Sequence, residues 1–132
     1  MMTTTTSWKK DLVFESTQED AGSVLMDGNR VEGISPKALL LSGLSGCSAV
    51  DVVEILQKMR VPFSDLTVTA SAEQTEEHPR VFKEILLVYS IKTAAENEDK
   101  VRKAIDLSMD KYCGVAAMLR KNSSIQYQLK IC

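Results

Sequence analysis

The sequence predicts an α+β fold: a mostly antiparallel sheet packed with a long central helix and a C-terminal helix pair. Three observations predict it. "LTVTASAE" and "SIQYQLKI" alternate apolar and polar residues without a break, which is the period of half-buried strands. From Ser35-Pro36 no proline recurs until Pro62, and the apolar residues between them follow a helical period. "AENEDKVRKAIDLSMDKY" places acids in a first turn and Val101, Ile105, Ser108 and Met109 on one stripe.

Taken in order, "MMTTTTS" is read as a frayed end covering residues 1–7, and "WKKDLVFEST" and "GSVLMD" as short strands before a "DGNR" turn. Ser35 can cap the long helix and Pro36 suits its first position. Leu41, Leu44, Val52, Ile55, Leu56 and Met59 gather on its broad face. "VFKEILLVYSIK" is apolar on both faces, as a central strand should be. "CGVAAMLRKN" completes the helix pair.

The 132 residues suit one domain, 1–132, with 44% apolar and 26% charged residues. Sixteen basic residues, scattered among eighteen acidic ones, leave no nucleic-acid footprint. The uncharged run Ala38 to Val50 is too short to span a bilayer, and no secretion signal precedes it. A cytoplasmic protein that contacts neither membrane nor nucleic acid is expected. That same run is apolar nearly all round its helix, which predicts a homodimer. With one histidine, His78, and three separated cysteines, no metal site or disulfide scaffold is expected. His78, before a proline between two strand-like runs, reads as a turn residue.

The chemistry of the chain lies in its thiols. On an ideal helix Asp51 lies about 40° from Cys47, and Glu54 and Lys58 about 20° from it, so the four form one polar stripe. Cys47 therefore sits at the edge of the apolar face, although a small buried hydrophobe is the commoner role for cysteine. Gly43 and Gly46 before it imply either a close helix crossing or a break that exposes backbone amides to the thiol. Cys113, between "DKY" and "GVAAM", falls at the expected start of a helix, whose dipole would favour a thiolate. Cys132 reads as an exposed bystander.

"SPKALLLSGLSGCSAVDVVEIL", "HPRVF" and "KYCGVAAML", in this order, resemble the OsmC-like family of osmotically induced and organic hydroperoxide resistance proteins. The resemblance runs from about Trp8 to Ile131. It implies an intertwined homodimer with two sites at the subunit interface and a cofactor-free peroxidase. Cys47 would be the thiol that attacks the peroxide and Cys113 the one that closes the disulfide, with an external dithiol as reductant and a small hydroperoxide as substrate. The family's arginine on an early strand is missing from "WKKDLVF", and its glutamate ten residues before the first cysteine is replaced by Lys37. Lys9 or Lys10 is the expected substitute for the arginine. Asp51 is expected to face one of these cations, Lys9, Lys10 or Lys37, with Glu54 nearby on the stripe. Two other readings compete: a non-catalytic dimeric small-molecule binding protein on the same fold, and a structural dimer with no site.

Overall fold

The computed structural model describes residues 1–132. The chain divides into two compact units, Met1–Leu40 and Leu41–Cys132.

The first unit is a meander of three strands, β1 (Thr4–Lys10), β2 (Val13–Gln18) and β3 (Ser23–Asp27), paired antiparallel in that order. The expectation of a frayed start is corrected here. Thr4 to Ser7 begin β1, with Thr4 opposite Gln18 and Thr6 Oγ1 donating to Ser16 Oγ at 3.1 Å. Threonine is β-branched and suits a pleated strand, so a threonine run with a partner strand is not a loose tail. Every residue of β1 is exposed, and only Val13 and Asp27 in this unit are buried.

Asp27 organises the turn after β3. Its carboxylate accepts backbone N–H groups from Asn29 at 2.8 Å, Glu32 at 3.0 Å and Val31 at 3.2 Å. The N–H groups of Glu32 and Asn29 are the main reason its carboxyl is held below the ordinary 3.8. A lowered folded-state pKa contributes stability that is present above about pH 4 and lost as pH falls through the folded value. Acid titration should therefore release residues 28–34 only below pH 4, and Asp27→Asn should remove that dependence; amide exchange of Asn29, Val31 and Glu32 against pH checks both. Gly33 closes the same turn because a Cβ there would lie 2.6 Å from the Leu25 carbonyl oxygen.

Helix α1 (Pro36–Lys58) starts as expected, with Ser35 Oγ accepting the Ala38 N–H at 3.4 Å. In the second unit, β4 (Ser64–Gln74), β5 (Phe82–Lys92) and β6 (Ser124–Ile131) form a second sheet in the order β4-β5-β6. β5 is the central strand, antiparallel to β4 and parallel to β6. A parallel pair needs a crossover. Residues 93–123 supply it: a 3₁₀ turn (Ala95–Asn97), α2 (Glu98–Leu107), a π-helical turn (Ser108–Tyr112) and α3 (Gly114–Arg120).

The core gathers Leu44, Val52 and Leu56 of α1, Ile85, Leu87, Tyr89 and Ile91 of β5, and Val101, Ala104 and Ile105 of α2. All four residues of the stripe expected on the second helix are buried. α1 has the length and composition of a membrane-spanning helix. Yet Leu44, Ser48, Val52 and Leu56 are fully buried on one face of it, as in a helix that covers a core.

Candidate functional site

Cys47 lies on α1, half-buried against the core, and Cys113 lies where the π-helical turn meets α3. Sixty-six positions separate them in the chain, and both pack at the same hydrophobic core, near enough for Cys47 to influence the Cys113 thiol. Both are free thiols.

Cys113 is the N-cap of α3, as expected, and its sulfur accepts the Ala116 N–H at 3.4 Å. The expected lowering of its pKa does not follow. Burial at 3% exposure pushes the thiol up to about 11, and the Cys47 thiol adds to the rise, while the Ala116 and Val115 amides only partly oppose it. Desolvation outweighs the helix end because α3 is only seven residues long and the sulfur sees almost no water. At pH 7 Cys113 is thus a neutral thiol. Iodoacetamide at pH 7 should therefore label exposed Cys132, which sits 3.1 Å from Ser90 Oγ, and leave Cys113 unmodified; peptide mass spectrometry reads the order.

Asp51, Glu54 and Lys58 do come together. With Ile55, Met59, Leu107 and Tyr112 they line a cavity of about 330 Å³. Asp51 takes its hydrogen bond from the Ser108 hydroxyl, at 2.9 Å, rather than from a cation. In the first unit Lys9 lies 3.6 Å from Glu15 and Lys10 3.0 Å from Glu32, both exposed pairs of the weak surface kind. Lys37 is the second residue of α1 and is half-buried. His78 is exposed between β4 and β5.

The glycine expectation is corrected. α1 runs unbroken through Gly43 and Gly46, and a Cβ at either would meet nothing within 4 Å beyond its chain neighbours and its own helix backbone. Neither a break nor a close crossing within the chain explains them.

Sequence reasoning missed a buried polar cluster behind the thiols. Tyr89 Oη and Ser48 Oγ are hydrogen-bonded, and Ser108 Oγ lies 2.9 Å from Ser48 Oγ. Burial raises Tyr89 to about 12, partly opposed by the Ser48 hydroxyl. The available signal was Ser108 on an otherwise apolar stripe, a hydroxyl that needs a partner once buried.

The family model described as "OsmC-like protein" matches residues 27–128. Protein YhfA of Escherichia coli strain K12 is 38% identical over 125 residues, covering 94% of this chain and 93% of its own length. An OsmC-like protein from Mycoplasma pneumoniae superposes with a TM-score of 0.84 at 16% identity, covering 99% of this chain and 96% of that one. An organic hydroperoxide resistance protein from Elizabethkingia anophelis superposes with a TM-score of 0.71 at 14% identity, covering 100% and 96%. At these identities the two structures show a shared fold.

Proposed function

Because the chain belongs to the OsmC-like family, we propose that it is a thiol-dependent hydroperoxide-reducing protein with Cys47 as the attacking and Cys113 as the resolving cysteine. The observation that supports this reading is the proximity of the two thiols: Cys47, from a distant segment, packs against the core cluster that contains Cys113 and adds to the rise in its pKa. The hydroperoxide resistance protein that shares the fold supports the substrate class.

The step balances without a cofactor. The Cys47 thiolate attacks the O–O bond of R–OOH, leaving Cys47 as a sulfenic acid and releasing an alkoxide that takes a proton to become the alcohol. Cys113 sulfur then attacks the sulfenic sulfur, and the departing hydroxide takes the thiol proton as water. An external dithiol reduces the disulfide by exchange. Burial keeps Cys113 a neutral thiol, which leaves the first attack to Cys47, and Cys113 gives up its proton only as it resolves the sulfenic acid. The cavity ending at Asp51, one turn from Cys47, has apolar walls from Ile55, Met59 and Leu107 for a small organic group.

The functional unit in this reading is a homodimer in the cytoplasm, where dithiol reductants act. The first unit buries almost nothing and leaves Trp8 and Leu40 more than half exposed, and the second unit leaves Val50 and Met118 more than half exposed, apolar side chains that a second copy would cover. Sedimentation at micromolar concentration should give a dimer; a stable monomer removes this part of the proposal. The peroxidase itself is tested by mixing reduced protein with cumene hydroperoxide and counting thiols. Loss of two thiols per chain, with one linked Cys47–Cys113 peptide, is the expected result. Thiols that persist in full would leave the binding-protein reading, with the Asp51–Glu54 cavity as its site.

A further inference from the structure

The thiol pair is flanked by a second pair of residues that the peroxidase chemistry does not use. Ser48 follows Cys47 on α1, and Ser108 opens the π-helical turn that leads to Cys113. Ser108 Oγ lies 2.9 Å from Ser48 Oγ, 2.9 Å from Asp51 Oδ2 and 3.5 Å from the Ser48 carbonyl oxygen. Tyr89, from the central strand, bonds Ser48 from the other side. Tyr89, Ser48 and Ser108 are all fully buried. Burying hydroxyls is unfavourable unless each finds a partner, and a leucine-rich core would avoid the problem. Here no buried polar side-chain atom lacks one. A network satisfied in this way fixes geometry more strictly than apolar packing does.

The main chain of Ser108 does a complementary thing. Its carbonyl accepts the Cys113 N–H at 2.7 Å, a bond spanning five residues. In an α-helical turn that N–H would go to the Met109 carbonyl. The Met109 carbonyl instead accepts Arg120 Nη2 of α3 at 3.0 Å. The widened turn is therefore bonded on both sides: Cys113 to Ser108, and the carbonyl it bypasses to Arg120. π-helical turns of this kind cluster at functional sites.

We propose that Ser108 is a positioning residue for the thiol pair: its hydroxyl pins the π-helical turn to α1 beside Cys47 while its carbonyl holds Cys113. Ser48, Tyr89 and Asp51 are the anchors of that pin. The proposal rests on Cys47 and Cys113 being a redox pair, but not on the oxidant being a peroxide.

The test is the equilibrium of the pair in a glutathione buffer. The two thiols pass two electrons and two protons to glutathione disulfide, giving the protein disulfide and two reduced glutathiones. Ser108→Ala is expected to lower the equilibrium constant for the Cys47–Cys113 disulfide about tenfold, a shift of about 30 mV. Ser108→Thr, which keeps the hydroxyl, should stay within about twofold of the wild type. A constant unchanged in Ser108→Ala overturns the proposal, as does an equal fall in the threonine variant. Should Ser108→Ala fail to fold, Asp51→Ala removes the outer anchor alone, and is expected to lower the constant about threefold; no change there overturns it too. A wild-type pair that oxidises in glutathione but ignores hydroperoxide removes the peroxidase reading and leaves this one standing. A pair that forms no disulfide in either removes both.

Discussion

Cys47→Ser is expected to abolish hydroperoxide consumption, whereas Cys113→Ser is expected to consume one equivalent per chain and stop. The difference follows from what each sulfur does. Attack on the O–O bond needs one nucleophile, and a serine hydroxyl at that place is not ionised at neutral pH. Resolution needs the second sulfur beside the first, the role proposed for Cys113. Without Cys113 the sulfenic acid persists and can be trapped with a dimedone-type reagent. Continued turnover in Cys113→Ser would assign resolution to another thiol, with exposed Cys132 the first to test.

Stability should fall steeply in alkali. Burial raises Cys113 from 9.0 to about 11 and Tyr89 from 10.0 to about 12. For both, the folded state holds its proton more tightly than the unfolded chain does. Their contributions are thus complete below about pH 9 and are lost as pH rises through the folded values. Urea unfolding followed by circular dichroism should show a midpoint that is flat from pH 7 to 9 and drops from 9 to 12. Cys113→Ala should delay the onset to about pH 10, where Tyr89 and Tyr127, both raised by burial, still contribute. A midpoint unchanged at pH 11.5 would contradict both assignments.

Much of this fold was legible because it is written in local periods. The alternation of "SIQYQLKI" gave β6, and the inward stripe Val101, Ile105, Ser108, Met109 gave the buried side of α2 and the turn after it. Pairing is a different matter. Nothing in β6 says whether its neighbour runs parallel, because a strand presents the same alternation either way, and the parallel register with β5 emerges only in the structure. The thiols were legible as residues through their resemblance, and their shared place at the core was not, since helical geometry relates Cys47 only to its own helix. Cys113 shows the limit most clearly. Its place at a helix start was readable, but its pKa is governed by burial, which depends on segments far away in the chain. The Ser48–Tyr89–Ser108 cluster was hidden for the same reason: its members are forty-one and sixty positions apart.

The parallel pairing of β5 with β6 also sets an order of assembly. Ile85 lies opposite Ile125, so closing that register brings together positions forty apart in the chain, with α2, the π-helical turn and α3 inside the closed loop. The β4–β5 hairpin needs no such closure and can form from neighbouring segments, whereas the loop entropy of the crossover has to be overcome first. Cys47 belongs to a helix that is continuous in sequence, but Cys113 rides inside the loop. The place of Cys113 relative to Cys47 therefore depends on a connection that closes a long loop, whereas the place of Cys47 on its helix does not.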